Sequence, residues 1–326
     1  MRVKMLTQTQ KELLSRMRHD NQKAGVPFVG CAPTWVNACQ TFDRMFNEQG
    51  IRSAKEQLYN KYFSAYTSDH PAYKNYALSM AKKANTLLTA GTGYEQACLC
   101  LLSHLKNADE FKVLEKSEPS ATSNVVVADN KRVSWDYLLS VKNVQAILKV
   151  LPHISDEEVT VLDLGVGWGR IGHVLMQLNP KLTYIDSDLP EPLLLAQEYL
   201  PTTLPQKQVY GYGWHEQKEQ ITCADVSTHS MHFVGTHHIP KFEEKSIDLV
   251  INVTSMQEMD QNTISEYFDL ITQKSRAFYN SQCNTRTRFN TGYNKNEWPI
   301  KSTWKTLYDQ PTFQYDGCFE AVYLTS

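Results

Sequence analysis

The sequence predicts an α/β fold in which a mainly parallel sheet follows a helical N-terminal region. Short apolar runs alternate with helical patterns after residue 150, and a glycine-rich turn directly follows the first run. Strands that alternate with helices are typical of βαβ units and a parallel sheet. The last segment, 312–324, alternates weakly around Asp316-Gly317. We expect this segment to form a C-terminal antiparallel hairpin.

The individual strands are predicted from short apolar runs that are bounded by turn residues, the pattern of a buried strand. The predicted strands are Val159–Leu164, Leu182–Ile185, Met231–Val234, Ile247–Val253 and Arg276–Ser281. The helices predicted to alternate with them are Arg170–Leu178, Glu191–Leu200 and Ile264–Ile271.

The chain divides into a mainly helical region, residues 1–150, and a sheet domain, residues 151–326. In Ala72–Leu88 apolar residues recur at i, i+3, i+4 and i+7, and Tyr94–Leu105 resumes the same period. Trp135–Leu151 is predicted as a helix that joins the first strand directly. A further helix and a short strand are predicted at Lys55–Ala65 and Val125–Val127. We expect the helical region to cover a substrate, to form a dimer interface, or both.

The composition is that of a globular protein and excludes several classes of function. The chain has 326 residues, of which 41% are hydrophobic and 21% charged, and its formal net charge is -2. There is no excess of basic residues to bind nucleic acid. No run approaches the ~20 apolar residues of a membrane span, and the N-terminus lacks the apolar core of a secretory signal. The seven cysteines include no C-x-x-C pair, so we expect reduced thiols and a cytoplasmic location.

The most informative segment is the turn after the first sheet-domain strand, Val161-Leu-Asp-Leu-Gly-Val-Gly-Trp-Gly-Arg170. Glycine suits a backbone that turns tightly and approaches a ligand closely. The helix that follows offers free N–H groups and the positive end of its dipole. Gly167–Gly172 alone matches G-x-G-x-x-G, and Asp188 lies where a dinucleotide-binding protein has its ribose-binding acid. This motif alone is therefore compatible with an NAD(P)-dependent oxidoreductase.

A longer match begins at an acid before the first glycine. Asp163-x-Gly165-x-Gly167-x-Gly169 resembles the first motif of class I S-adenosylmethionine-dependent methyltransferases, which have a Rossmann-like sheet. The resemblance implies that the acid polarises the region around the methionyl amine and that the glycines line the methionyl and ribose portion. Trp168, in the same turn, is expected to offer the cofactor an apolar wall. An acid suits this cationic cofactor, whereas it repels a pyrophosphate.

The second motif is Tyr184-Ile-Asp-Ser-Asp-Leu-Pro190, at the end of the second predicted strand of the sheet domain. Asp188-Leu-Pro resembles the corresponding segment of several O-methyltransferases, which implies that Asp188 accepts hydrogen bonds from both ribose hydroxyls. Asp186 is the rival acid, because a shift of the strand by two residues exchanges the two positions. After the third strand, Thr236 and His237 are expected beside the adenine.

The segment Ser246–Met259 is similar to the fourth strand and following loop of a family of sugar O-methyltransferases. The shared pattern consists of Asn252, Ser255, Glu258 and Met259. Polar side chains at the end of a parallel strand lie at the edge of the sheet where ligands bind. Asn252 is expected beside the cofactor, and the residues expected to hold the acceptor are Ser255, Gln257 and Asn284.

Methyl transfer to a hydroxyl needs a base that removes the proton, for which His or a carboxylate is the usual choice. Our candidates are Glu258 and His238. Several histidines crowd residues 215–238, but their spacing fits a metal poorly because ligand number and geometry must both match. The sequence therefore predicts no metal.

These observations predict an S-adenosylmethionine-dependent O-methyltransferase that acts on a hydroxyl of a sugar or another polyhydroxylated small molecule. The predicted cofactor is S-adenosylmethionine, and the predicted partners are the hydroxylated acceptor and a second copy of the chain in a homodimer. Two alternatives are left open: an NAD(P)-dependent oxidoreductase, and a catalytically inactive methyltransferase-like protein that serves in assembly.

Overall fold

The computed structural model describes residues 6–24, 33–51, 54, 71–85, 87–88, 90–118, 125–226, 229–283, 294–313 and 315–325. The predicted helix Lys55–Ala65 and the predicted acceptor residue Asn284 lie outside these residues. Among the described helices, none combines the length and the apolar character needed to cross a membrane.

Strands and helices alternate as the sequence predicts. The strands are Val126–Ala128 (β1), Lys131–Val133 (β2), Thr160–Leu164 (β3), Thr183–Asp188 (β4), Gln208–Tyr210 (β5), Ser230–Gly235 (β6), Ile247–Val253 (β7), Ser275–Cys283 (β8), Lys305–Pro311 (β9) and Cys318–Leu324 (β10). The α-helices are Gln8–Ala24 (α1), Pro33–Gln49 (α2), Ala72–Ala84 (α3), Gly93–Asn107 (α4), Val113–Lys116 (α5), Trp135–Leu148 (α6), Arg170–Leu178 (α7), Pro190–Thr203 (α8) and Gln261–Lys274 (α9).

Eight of these strands form one sheet in the order β5-β6-β4-β3-β7-β8-β10-β9. Strands β5, β6, β4, β3, β7 and β8 are parallel, whereas β10 pairs antiparallel with both β8 and β9. The predicted fold class is therefore confirmed, namely a Rossmann-like, mainly parallel sheet with a C-terminal antiparallel hairpin after a helical N-terminal region. The chain order reverses on either side of β3, so the carboxyl ends of β4, β3 and β7 border one crevice, the usual ligand position in such sheets.

The structure corrects several element boundaries. The first hairpin strand, β9, begins at Lys305, earlier than the predicted start at 312. Helix α3 ends at Ala84 because Asn85 adopts a left-handed conformation, with φ 51°, which stops a helix. The single strand predicted near Val125 is one arm of a small hairpin, in which β1 pairs with β2.

Helix α6 links the N-terminal helices to the sheet. It begins at Ser134, whose side chain accepts a hydrogen bond from the Tyr137 N–H at 3.3 Å, the usual role of an N-cap serine. Almost the whole helix is buried, and it packs against α4 and α7. One hydrophobic cluster joins residues from both sides of position 150, among them Met17 of α1 and Leu193 of α8. The division into two domains at that position stays a prediction.

The sheet separates two hydrophobic clusters because alternate side chains of a strand point to opposite faces. On β3, Val161 belongs to one cluster, and Leu162 and Leu164 belong to the other. Tyr184 of β4 lies in the same cluster as Val161, against α7. That face of the sheet also carries Asp163, two residues after Val161 on β3.

Gly172 of α7 is required by this packing. A Cβ at this position would lie 2.4 Å from Cε1 of the Tyr184 ring, which is fully buried. We expect Gly172→Ala to lower the free energy of unfolding by about 1–3 kcal/mol, as overpacking does, although alanine favours a helix over glycine. Urea denaturation measures the change.

Gly211→Ala is the matched control. The nearest atom to its Cβ would be Nε2 of Gln197 at 3.6 Å, an ordinary contact. We expect that variant to stay within about 1 kcal/mol of the wild type. Equal stabilities of the two variants would contradict the packing role of Gly172.

Candidate cofactor and acceptor site

The glycine turn after β3 depends on left-handed backbone at three positions. Gly165, Gly167 and Gly169 have φ values of 84°, 61° and 88°, which side-chain-bearing residues rarely adopt. A Cβ on Gly165 would also lie 2.1 Å from Oγ of Ser255. The turn therefore needs glycine both for its conformation and for the close approach of the loop after β7.

Asp188, at the end of β4, holds this turn in place. Its Oδ2 accepts a hydrogen bond from the Gly167 N–H at 2.7 Å, and its Oδ1 accepts one from the Leu189 N–H at 2.6 Å. Burial raises the pKa of Asp188 to about 7, while both N–H groups lower it and the carboxylates of Asp163 and Glu191 raise it further. The predicted ribose-binding acid thus lies directly against the predicted glycine turn.

Asp163 is buried next to the same turn. The Tyr184 hydroxyl donates a hydrogen bond to its Oδ2 at 2.6 Å. Burial raises the pKa of Asp163 to about 6, although this hydrogen bond and the charge of Arg170 lower it. Sequence reasoning missed Tyr184, yet the alternation of β4 could have indicated it because Tyr184, Asp186 and Asp188 share one face.

Asp186, the rival acid, is inaccessible to solvent. Neither of its carboxyl oxygens has a hydrogen-bond partner among the described residues. Burial, together with the charges of Asp163 and Asp188, raises the pKa of Asp186 well above its ordinary value. Burial therefore disfavours the ionised form of Asp186, whereas Asp188 is the acid that contacts the glycine turn.

Asn252, at the end of β7, holds the loops together from inside the protein. The side chain is fully buried, and its Nδ2 donates to the Leu164 carbonyl oxygen. Its Oδ1 accepts from the Met256 N–H at 3.0 Å and from Nε2 of Gln282 at 2.6 Å. The sequence interpretation placed Asn252 beside the cofactor, whereas the structure directs its side chain at the loops after β3 and β7. Gln282 was missed because nothing in β8 alone indicates its partner on β7.

The loop after β7 carries two of the three predicted acceptor residues, Ser255 and Gln257. Thr254 has a φ of 56°, a strained conformation of the kind that clusters at functional sites. Ser255 lies over Gly165, so it adjoins the glycine turn. The side chain of Gln257 faces β8, where its Oε1 accepts from the Cys283 N–H at 2.7 Å.

Glu258 lies on the same loop in a half-buried position. Burial raises the pKa of Glu258 to about 8, and the charges of Asp188 and Cys283 raise it further. Asp188, at the end of β4, and Glu258, after β7, are therefore close enough for their charges to interact. A carboxyl with a pKa near neutrality in such a place is suited to proton transfer.

Strand β6 lies next to β4 on the side opposite β3, and the residues after it therefore border the site from that side. Thr236 is buried, and its side chain forms a hydrogen bond with that of Tyr267 on α9. Burial raises the pKa of Tyr267, and this hydrogen bond offsets part of that rise. His237 is half-buried and lies so close to Gly235 that a Cβ there would meet its Cε1 at 2.4 Å. The strand register pairs Gly235 with Asp188. Thr236 therefore directly follows the partner of the predicted ribose-binding acid.

His238, the second predicted base, has different surroundings from Glu258. It is buried, and its Nδ1 accepts a hydrogen bond from the Gly235 N–H at 3.2 Å. Its ring packs beside Tyr212 and His237. Burial lowers the pKa of His238 to about 3, so the ring is neutral and a weak base. These contacts favour a role in holding the loop after β6.

Trp168 also has surroundings that differ from the expected apolar wall. Its side chain is buried and packs edge-on against the Tyr199 ring of α8, with centroids 5.0 Å apart.

Among the described residues, no group of three or more His, Cys, Asp or Glu side chains is arranged to hold a metal ion. Two of the histidines form a buried pair, in which Nε2 of His215 lies 3.1 Å from Nδ1 of His232.

Helix α1 packs beside this end of the site. Nε of Arg18 lies 2.8 Å from Oε1 of Glu191, in the first turn of α8 after Asp188. The Tyr212 hydroxyl donates to Oδ2 of Asp20 at 3.0 Å, and Nη2 of Arg16 donates to the Tyr212 carbonyl oxygen at 3.0 Å. The N-terminal region therefore contacts the side of the sheet that carries β6 and α8.

Comparison with known proteins finds similarity in structure only. No family model matches the sequence, and no curated protein matches it. The PH0226 protein of Pyrococcus horikoshii shares 15% identity over 56% of this chain and 89% of its own, with a TM-score of 0.40. A TehB-like SAM-dependent methyltransferase of Corynebacterium glutamicum shares 13% identity over 56% of this chain and 88% of its own, with a TM-score of 0.39.

A SAM-dependent methyltransferase of Aquifex aeolicus shares 13% identity over 57% of this chain and 98% of its own, with a TM-score of 0.36. At this level of similarity, the activity of this chain has to be inferred from its own residues.

The raised pKa of Asp188 makes stability depend on pH. Between an unfolded pKa of about 3.9 and the folded pKa of about 7, the folded protein keeps a proton that the unfolded chain has lost. Stability therefore falls as pH rises through this interval. We expect Asp188→Asn to remove this loss, so that the variant gains stability relative to the wild type from about pH 4 to about pH 8. Urea denaturation without ligand measures the difference.

Asp225→Asn is the control for this measurement. A hydrogen bond from Lys218 lowers the pKa of Asp225 to about 2, so this group contributes no pH dependence above about pH 5. The difference between the Asp225 variant and the wild type should stay constant from about pH 5 to about pH 8. A constant difference for Asp188→Asn as well would show that the fold does not disfavour its ionised form.

Proposed function

We propose that the chain is an S-adenosylmethionine-dependent methyltransferase that transfers a methyl group to a hydroxyl of a sugar or another polyhydroxylated small molecule. The observation that carries this proposal is the concentration of carboxyl groups at the ends of neighbouring parallel strands. Asp163, Asp188 and Glu258 each have a raised pKa there. The site therefore disfavours its own negative charge.

These carboxyl groups fit a ligand that brings positive charge and hydroxyl groups. S-adenosylmethionine carries a sulfonium, an ammonium and two ribose hydroxyls, and each of these stabilises a nearby carboxylate. A dinucleotide brings a pyrophosphate, which the same carboxylates repel. The charge of the site thus favours the methyltransferase over the NAD(P)-dependent oxidoreductase that the glycine motif alone leaves open.

The geometry supports a division of the cofactor site among the loops. Asp188, already held by two backbone N–H groups, would accept the ribose hydroxyls with its remaining lone pairs. Gly165 and Gly167 would let the backbone approach the methionyl and ribose portion, near Asp163. Thr236 and His237 would border the adenine, since they follow the strand that pairs with β4.

Three residues that the sequence predicted at the site would support the loops around the cofactor without contacting it. Asn252 would position the loops through its bonds to Leu164 and Met256. Trp168 would support the glycine turn after β3 and His238 the loop after β6, because both side chains are buried.

Methyl transfer requires that the acceptor hydroxyl is correctly positioned and that one group accepts its proton. When bound, S-adenosylmethionine supplies a methyl group on a positively charged sulfur. The loop after β7 would hold the acceptor hydroxyl, and much of the acceleration of such a reaction comes from the alignment of the reacting groups. Glu258 removes the hydroxyl proton, and positive charge in the site lowers its pKa towards the working pH. Ser255 and Gln257 offer polar groups on the same loop, which suits an acceptor with several hydroxyls.

We expect the wild type to bind adenosylhomocysteine and not NAD in calorimetric titration. Asp188→Ala should weaken adenosylhomocysteine binding by about 1.5–3 kcal/mol for each lost charge-assisted hydrogen bond. Asp186→Asn is the control, because asparagine has nearly the same shape as this buried side chain, whose carboxyl oxygens have no hydrogen-bond partner among the described residues. The affinity of this variant should match that of the wild type. NAD binding without a response to adenosylhomocysteine would refute the proposed cofactor.

We expect Glu258→Gln to retain adenosylhomocysteine binding while methyl transfer falls by about 10²–10⁴-fold, the usual contribution of a general base. The measurement is transfer of labelled methyl from S-adenosylmethionine to a panel of sugars and glycosides. Thr254→Ser on the same loop is the control and should keep its activity. Full activity of Glu258→Gln would remove Glu258 from the proposed chemistry.

A further inference from the structure

Two cysteines face each other at the edge of the candidate acceptor site. Cys283 ends β8 and Cys318 begins β10, and the antiparallel register pairs them directly. Their Sγ atoms are in contact at 2.6 Å as free thiols. Opposite residues of an antiparallel pair have Cα atoms about 4.5–5.5 Å apart, within the range of about 4.4–6.8 Å that a disulfide requires. The two thiols can therefore be bridged without moving either strand.

We propose that Cys283 and Cys318 are a redox-modification site, at which a low-molecular-weight disulfide such as oxidised glutathione converts the two thiols reversibly into a cross-strand disulfide. Disulfides of proteins in reducing compartments are commonly transient or redox-sensing. The position of this pair, beside the loop after β7, distinguishes it from a purely structural bridge.

The two thiols have different roles in the reaction. Cys283 is half-buried, and a hydrogen bond from Cys318 lowers its pKa, which favours the thiolate that attacks a disulfide. Cys318 is buried, and its hydrogen bond with Cys283 raises its pKa. Cys283 is therefore the attacking residue, and Cys318 resolves the intermediate.

Thiol–disulfide exchange with oxidised glutathione proceeds in two steps. The Cys283 thiolate attacks one sulfur of oxidised glutathione, which forms a mixed disulfide and releases one glutathione thiolate. Cys318 then loses its proton to water and attacks Sγ of Cys283, which expels the second glutathione. The two cysteines lose two electrons and the oxidised glutathione gains them, so no further oxidant is needed.

The pair is connected to the candidate base by short contacts. The Cys283 N–H donates to Oε1 of Gln257 at 2.7 Å, and Gln257 directly precedes Glu258. The charge of Cys283 also raises the pKa of Glu258. Oxidation removes that charge, which lowers the pKa of Glu258 and makes it a carboxylate at lower pH. This consequence for the base rests on the proposed function, whereas formation of the disulfide does not.

The test equilibrates the full-length protein in glutathione buffers of increasing oxidised fraction, followed by alkylation, proteolysis and mass spectrometry. We expect a linked pair of peptides that contain Cys283 and Cys318, with the loss of two of the chain's seven thiols, and full recovery with dithiothreitol. The exposed Cys223 should not enter a linked peptide. These readouts do not depend on methyl transfer, so they separate this inference from the proposed activity.

Two variants sharpen the result. Cys318→Ala should abolish the linked peptide and leave Cys283 with a single glutathione adduct, whereas Cys223→Ala should behave as the wild type. If the wild type keeps both Cys283 and Cys318 open to alkylation at every glutathione ratio, or links either of them to another cysteine, the proposal is overturned. Because the linked peptide is measured in the wild type, the test remains valid even if Cys318→Ala folds poorly.

Discussion

The hydrogen bond from the Gly167 N–H to the Asp188 carboxylate is the interaction on which the site depends. It joins the turn after β3 to the end of β4 at 2.7 Å, and it requires a left-handed glycine turn on one side and an acid on the other. Because the strands are parallel, the same edge of the sheet also gathers Asp163 and Glu258. The sheet thus places several carboxyl groups where their negative charges repel one another, and a cationic, hydroxylated ligand would reduce this repulsion.

Much of this could be predicted from the sequence because it is encoded locally. The three glycines of the turn follow one another at fixed spacing, and each has the positive φ that such a motif implies. Five of the six parallel strands were predicted from short, mainly apolar runs, whereas β5, Gln208–Tyr210, is too short and too polar to give that signal. The choice of Asp188 over Asp186 followed from a resemblance, and the structure gives its physical basis: only Asp188 reaches the turn.

The remaining features depend on partners that are distant in the chain. Asn252 occurs in a motif, but its bonds to Leu164 and Gln282 can be seen only when three strand ends meet. His238 looked like a base because histidines titrate near neutrality, and burial against Tyr212 removes that property. The pairing of Cys283 with Cys318 depends on the register of the hairpin, which no local pattern indicates.

A ligand that reduces the repulsion among these carboxyl groups should release protons when it binds, and that release can be measured. Titration of adenosylhomocysteine into the protein near pH 7, in buffers with different ionisation enthalpies, gives the number of protons exchanged. Because ribose hydroxyls and an ammonium favour the ionised carboxylates, we expect net proton release on binding, and less release from Asp188→Asn. Net proton uptake, or the same release from the wild type and the variant, would contradict this account.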